Sequence, residues 1–250
     1  SREGESKPFH SPTKSNYTPS MELWYLQAAE DWMMEALPIG NGRMGAMFFG
    51  GVAKERLQFN EDSLWSGYPD HTEIPPESGS YIGQLQQLLV AGEIEATDAL
   101  RRPDDKTRSM DSFGAYQPFG DILIDFPGQE ADRARNYRRS LDISKAIGRV
   151  SYEMNGTTYY REYFASFPDQ VIVGRFSADK SGMLNMDIGL SSPHQQGVIR
   201  LTEGDSIFLS GVMPESGLEF AAQLSVRLSG GTIARDPAGS SLQIRNADSV

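Results

Sequence analysis

The sequence contains no cysteine, which removes disulfides, thiolate metal sites and a cysteine nucleophile from consideration. Its three histidines, His10, His71 and His194, are too far apart for any short metal-ligand spacing, so no metal site is expected. No G-x-S-x-G elbow occurs, and nothing points to a serine hydrolase of that type. Basic residues are in deficit, with 23 Lys and Arg against 34 Asp and Glu and a net charge of −11. A nucleic-acid binder must replace phosphate counterions with cationic side chains, so nucleic acid is not an expected partner. No run of about 18 apolar residues appears, and no membrane span is expected.

What is present is a core. Hydrophobic residues make up 38% of the 250, including 12 Phe and 10 Tyr, enough apolar surface to argue against wholesale disorder. Residues 1–20 are rich in Ser, Pro, Lys and Thr and read as a flexible lead-in. From Leu23 onward the pattern changes to short apolar bursts separated by Gly, Pro, Asn and Asp. Leu23–Tyr25, Arg43–Phe49 and Glu55–Phe59 read as strands, with Gly50-Gly51 as the turn between the last two. Tyr81 to Arg102 is the one helical stretch. Ile82, Leu85 and Leu88-Leu89 recur at helical spacing, Gly92 bends the stretch into two, and Pro103 stops it.

Beyond Gly114 the chain reads as antiparallel β. Arg149–Met154, Asn155-Gly156 and Thr157–Phe164 form a hairpin, because Asn-Gly tolerates the positive φ angles of a two-residue I′ turn. That turn predicts Met154 opposite Thr157, Tyr152 opposite Tyr159 and Val150 opposite Arg161. Val150, Tyr152, Tyr159 and Tyr163 then share a core face, and Arg149 pairs with Glu162 on a more solvated one. Further strands are expected at Ile122–Phe126, Val171–Phe176, Leu184–Leu190, Ser206–Leu209, Leu218–Arg227 and Leu242–Arg245. The predicted fold is mainly β, an antiparallel β-sandwich of the supersandwich type over residues 21–250, with a short helical insertion around 81–102.

Gly40-Asn41-Gly42-Arg43-Met44-Gly45 matches a dinucleotide fingerprint, with Glu61 about twenty residues on. That motif needs a helix after it to hold the pyrophosphate, and Gly50-Gly51 arrives before a helix could begin. The glycines are better read as a tight entry into a strand, and no cofactor is expected. With 34 acidic residues some carboxylate pair always looks suitable for glycoside chemistry, but spacing across strands does not give the separation on which such catalysis depends.

Two polar-aromatic loops carry more. Asn60-Glu61-Asp62-Ser63-Leu64-Trp65 packs an amide, carboxylates, a hydroxyl and an indole directly after a strand. Sugars are held by dense polar contacts and an aromatic face, on loops fixed by a rigid scaffold. The alternative is a capped turn with Trp65 plugging the core. Tyr116-Gln117 opens a similar segment, and its alternative is a turn whose own backbone Gln117 satisfies. Asn60, Glu61, Asp62, Trp65, Tyr116 and Gln117 are the candidate substrate-binding residues, in a supporting role.

Read in order, several segments resemble the N-terminal domain of glycoside hydrolase family 95. They are Leu23-Trp24-Tyr25, Ala29–Trp32, Glu35–Met47, Asn60–Gly67, Tyr116–Asp121, Tyr137–Asp142 and Phe164–Val173. That family comprises α-L-fucosidases, with some α-L-galactosidases, acting on fucosylated glycans. The resemblance implies an N-terminal β-sandwich, a helical linker, an (α/α)6 barrel and a C-terminal β domain. It also implies inversion at the anomeric carbon, with a protonated Glu as acid and a water activated by an amide that a carboxylate orients. Those catalytic groups are expected in the barrel, beyond Val250, so no catalytic residue is assigned in this chain and it is expected to be inactive alone. The sandwich is expected to lack its last strand or strands, to pack against its own barrel, and to reach the sugar pocket with the Asn60–Trp65 loop. A fucosylated oligosaccharide or polysaccharide is the expected partner, in a secreted or periplasmic bacterial setting. A free-standing carbohydrate-binding module and a purely structural interface domain are the competing readings.

Overall fold

The computed structural model describes residues 21–67, 82–99, 114–194, 198–201, 204–214, 216–237 and 239–250. The expected lead-in at 1–20, His10, His71 and the ends of the helical stretch at Tyr81 and 100–103 lie outside them. In chain order the first half holds β1 (Glu22–Tyr25), β2 (Leu37–Gly40), β3 (Met44–Phe48), β4 (Lys54–Glu61), α1 (Ile82–Ala91), α2 (Ile94–Ala99), β5 (Gly120–Asp125) and β6 (Arg135–Asp142). The second half holds β7 (Ile147–Met154), β8 (Thr157–Ser166), β9 (Val171–Ala178), β10 (Leu184–Ser191), β11 (Val198–Leu201), β12 (Ser206–Val212), β13 (Glu219–Ser225), β14 (Thr232–Arg235) and β15 (Ser241–Ala247).

Strands β1-β6-β7-β8-β9 form one sheet and β14-β15-β10-β5-β4-β3-β2 another, with β11-β12-β13 as a smaller third. Every pairing among the described strands is antiparallel. The predicted sandwich is therefore the observed architecture, and its layers follow from period-two patterning. In β10, Leu184, Met186, Ile188 and Leu190 are buried while the residues between them are not. Val150, Tyr152, Tyr163 and Phe176 from the five-stranded sheet join Phe48, Leu57, Ile124 and Ile244 from the seven-stranded one in a single core. Ile207 and Leu209 of β12 enter the same core.

The β7–β8 hairpin forms as the Asn-Gly turn predicts. Asn155 and Gly156 take φ of 51° and 71°, and the register sets Met154 opposite Thr157, Tyr152 opposite Tyr159 and Val150 opposite Arg161. Arg149 and Glu162 pair at 3.1 Å on the outer face. Gly92, at φ 78°, separates α1 from α2 as expected. The apolar stripe of α1 buries no residue fully.

Four strands are absent from the sequence reading, each with a local reason. β2 contains Pro38 and Gly40 and lies at a sheet edge, the place where a strand tolerates Pro. β6 reads as a polar run, RNYRRSLD, yet it is central, and its Arg139 is buried. That guanidinium donates to the carbonyls of Glu35 at 2.8 Å and Gln27 at 3.4 Å and lies over the Tyr25 ring. β11 and β14 are four residues each, too short to show a period.

The same hairpin parity that fills the core also carries Arg161 inward, facing β4. Its Nη1 donates to Glu55 Oε2 at 3.1 Å and to Gly51 O at 2.6 Å, and its Nη2 to Tyr152 Oη at 2.8 Å and Val52 O at 3.0 Å. The Tyr163 hydroxyl donates to the same Glu55 oxygen at 2.9 Å. The other Glu55 oxygen accepts from the Gly50 and Arg56 N–H groups at 2.8 and 3.0 Å. A charged pair thus joins the two sheets through the core, with its remaining hydrogen-bonding capacity met by the β3–β4 turn.

Candidate functional site

The two polar-aromatic loops meet at one end of the seven-stranded sheet. Beyond β4 the chain turns so that Leu64 is buried, 2% exposed, and pins the loop to the core. The backbone then runs antiparallel to residues 115–117. Gln117 N donates to Leu64 O at 2.9 Å, Ser66 N to Ala115 O at 3.1 Å, and Ala115 N to Ser66 Oγ at 2.9 Å. Trp65 and Tyr116 form an isolated bridge across this pairing. Their ring centroids lie 5.5 Å apart at 53°, a contact geometry common to aromatic pairs.

Trp65 is not a core plug. It is 43% exposed and Tyr116 46%, so the alternative placing its indole in the core fails, and Leu64 fills that role instead. The indole Nε1 donates to Asp62 O at 3.0 Å, which fixes the ring's tilt. Gln117 does satisfy its own turn, donating to Ala115 O at 3.0 Å. Asn60 Oδ1 accepts from the Glu61 N–H at 3.2 Å.

Glu61 is spent on the loop. It accepts from Arg43 Nε at 2.8 Å, from Ser63 N at 2.9 Å and from Ser63 Oγ at 2.5 Å. Burial works against its charge, but the Ser63 and Arg43 hydrogen bonds outweigh it and hold the carboxyl below its ordinary range. Burial first, then the Asp62 and Glu61 carboxylates, push the Tyr116 phenol above its ordinary value. The phenol is therefore protonated at neutral pH and available as a donor. Of the six candidate residues, Asp62, Trp65 and Tyr116 present free groups to solvent, while Glu61 and Gln117 build the frame.

Sequence reading missed two members of this end. Arg43 arrives from the β2–β3 turn, where Asn41 Oδ1 accepts from Arg43 N and Met44 N at 3.1 and 2.8 Å. The glycine-rich segment is this hairpin, with Gly42 at φ 94°, and no helix follows it. Asn41 Nδ2 also donates to Ser166 O at 2.8 Å, tying the turn to the other sheet beside Phe167, which is 71% exposed. The available signal was the Asn-Gly pair in Gly40–Gly45, a hairpin marker.

Among the described residues no three metal-ligating side chains converge. His194 Nε2 lies 2.9 Å from Pro118 O, with the ring against Phe220. What this end of the sandwich can do chemically is present two ring faces, a carboxylate and a phenol in fixed positions.

Residues 23–250 match the family described as glycosyl hydrolase family 65, N-terminal domain. The chain is 30% identical over 254 residues to the Arabidopsis thaliana protein named alpha-L-fucosidase 2, covering 91% of this chain and 29% of that protein. It is 30% identical over 214 residues to the probable alpha-fucosidase A of Aspergillus niger, covering 82% of this chain and 26% of that protein. The corresponding protein of Aspergillus oryzae is 26% identical over 166 residues, 66% of this chain and 22% of its own length. The chain thus spans less than a third of each relative it matches.

Proposed function

The chain belongs to the family of glycosyl hydrolase family 65 N-terminal domains, and on that premise we propose that it is the non-catalytic sandwich of an α-L-fucosidase-type enzyme. In this reading the parent is an inverting hydrolase of family 95 that removes α-L-fucosyl or α-L-galactosyl residues from glycans. The matched description names family 65, while the relatives carry α-fucosidase names; the family 95 assignment rests on the ordered motif set and those relatives. The sandwich packs on a helical barrel and turns the Asn60–Trp65 loop toward the barrel's sugar pocket.

One observation carries the loop's part in this. Trp65 and Tyr116 are exposed as a pair on a backbone frame that holds them rigidly. Exposed aromatics on a rigid frame suit either the C–H face of a sugar or the core of a domain interface. In the proposed enzyme both uses turn this end toward the barrel.

Two measurements test it. Incubation of the 250-residue chain with an aryl α-L-fucoside is expected to release no fucose; measurable turnover overturns the non-catalytic reading. Calorimetry with a fucosylated oligosaccharide separates scaffold from module. Heat that Trp65→Ala abolishes favours a free-standing carbohydrate-binding module, the second reading that the exposed ring pair supports.

A further inference from the structure

A second concave surface lies on the outer face of the five-stranded sheet, on a different sheet from Trp65. Alternation along β7 and β8 sends Val150, Tyr152, Tyr159 and Tyr163 inward and leaves Arg149, Ser151, Tyr160 and Glu162 outward. Register then lines up Trp24, Ser140, Arg149, Glu162 and Arg175 as one row across all five strands. The next row is Arg138, Ser151, Tyr160 and Ser177. With strands about 4.8 Å apart, the first row is about 19 Å long. Apart from Trp24, the two rows line a hollow of about 460 Å³, within the range of roughly 300–1,000 Å³ typical of small-molecule sites.

The charges in this hollow are unevenly matched. Arg138 Nη2 pairs with Glu22 at 2.8 Å, and its guanidinium lies 5.0 Å over the Trp24 ring. Arg149 pairs with Glu162 at 3.1 Å and more distantly with Asp142 at 3.8 Å. Arg175 stands opposite Glu162 in register but makes no ion pair or hydrogen bond among the described residues. On a chain of net charge −11, one sheet face therefore gathers three outward arginines beside the carboxylates of Glu22, Asp142 and Glu162, and one of the three has no ion pair among the described residues. The side-chain hydroxyls of Ser140, Ser151, Ser177 and Tyr160 are likewise unengaged among the described residues.

We propose that this face binds the anionic unit of a glycan, a sugar carrying a carboxylate or a sulfate. A guanidinium matches the paired oxygens of either group. Exposed ion pairs are worth only about 0–1 kcal/mol, so Arg138 and Arg149 exchange partners for an incoming anion at little cost. The free hydroxyls meet sugar hydroxyls, and the exposed ring of Tyr160 offers a flat surface to its C–H face. An acidic peptide is a poorer fit, because strand addition needs a sheet edge and this hollow lies on the face. The proposal does not depend on the fucosidase reading.

Calorimetry on the 250-residue chain tests it with trigalacturonate, a sulfated trisaccharide and an uncharged trisaccharide. Binding of at least one anionic sugar is expected, weakening as salt rises and at least tenfold on Arg175→Glu. Tyr160→Ala is expected to weaken it too, while Arg235→Glu, the same charge change on an exposed strand of the other large sheet, leaves it unchanged. The carboxylate and sulfate arms identify which anion is preferred. Silence with both anions at millimolar concentration, equal affinity for the uncharged sugar, or undiminished binding by Arg175→Glu overturns the proposal.

Discussion

The Arg161 guanidinium meets the Glu55 carboxylate at 3.1 Å with side-chain exposures of 2% and 0%, joining a strand of one sheet to a strand of the other. Such a pair adds little over a well-packed apolar substitute, yet removing one member strands the other in the core. Burial opposes the charge on Arg161, and the Tyr152, Tyr163 and Glu55 groups around it more than restore it, so its pKa is raised. Glu55→Leu is accordingly expected to cost about 3–5 kcal/mol in urea denaturation. A loss under about 1 kcal/mol would show that the core tolerates the lone cation.

Leu64 and Trp65 are neighbours with opposite expected behaviour. Leu64 is buried and anchors the loop, so Leu64→Ala is expected to destabilise by about 2–5 kcal/mol. Trp65 is nearly half exposed, and Trp65→Ala is expected to cost about 1 kcal/mol or less. Thermal melts of the two variants check this directly. Equal losses would restore the core-plug role for the indole.

These residues also show what could be read from the chain beforehand. Turn chemistry gave the β7–β8 hairpin and its register, because Asn-Gly permits few backbones. The polar strand β6 was hidden, because what buries Arg139 is a set of distant carbonyls, those of Glu35 and Gln27. The predicted register set Arg161 opposite Val150, but the partner that lets it be buried lies 106 residues away in sequence. At the site, both loops were visible as compositions. That Trp65 and Tyr116 pair, and that Glu61 is consumed by Arg43 and Ser63, depend on contacts between segments that no spacing rule reports.

Gly148 of β7 lies against the ring of Phe48 on β3 of the other sheet. A Cβ added there would lie 2.4 Å from Phe48 Cε1, and Phe48 is fully buried against Tyr163, with ring centroids 5.1 Å apart. The ring has no free space to swing into, so Gly148→Ala is expected to overpack the core and cost about 1–3 kcal/mol. Gly42→Ala in the β2–β3 turn meets no neighbour and tests backbone strain instead. A Gly148→Ala variant as stable as the parent in urea would show that the sheets can separate locally.

The Glu61 clamp makes a pH prediction whose sign is fixed by the direction of its shift. Its carboxyl is held below the ordinary 4.5 in the folded chain, so the unfolded chain takes up a proton first as pH falls. The stabilisation from Arg43 and Ser63 is therefore fully present above the ordinary value and is lost as pH drops through the lower folded one. Against Glu61→Gln, the parent's stability advantage is expected to be constant from about pH 7 to about pH 5 and to shrink toward about pH 3. Because Arg43 is largely exposed and Glu61 is not, raising the salt concentration should weaken the Arg43 part and leave the Ser63 part. An advantage that stays flat across the whole acid range would mean that Glu61 holds the loop through its shape and neutral hydrogen bonds, with its charge contributing nothing.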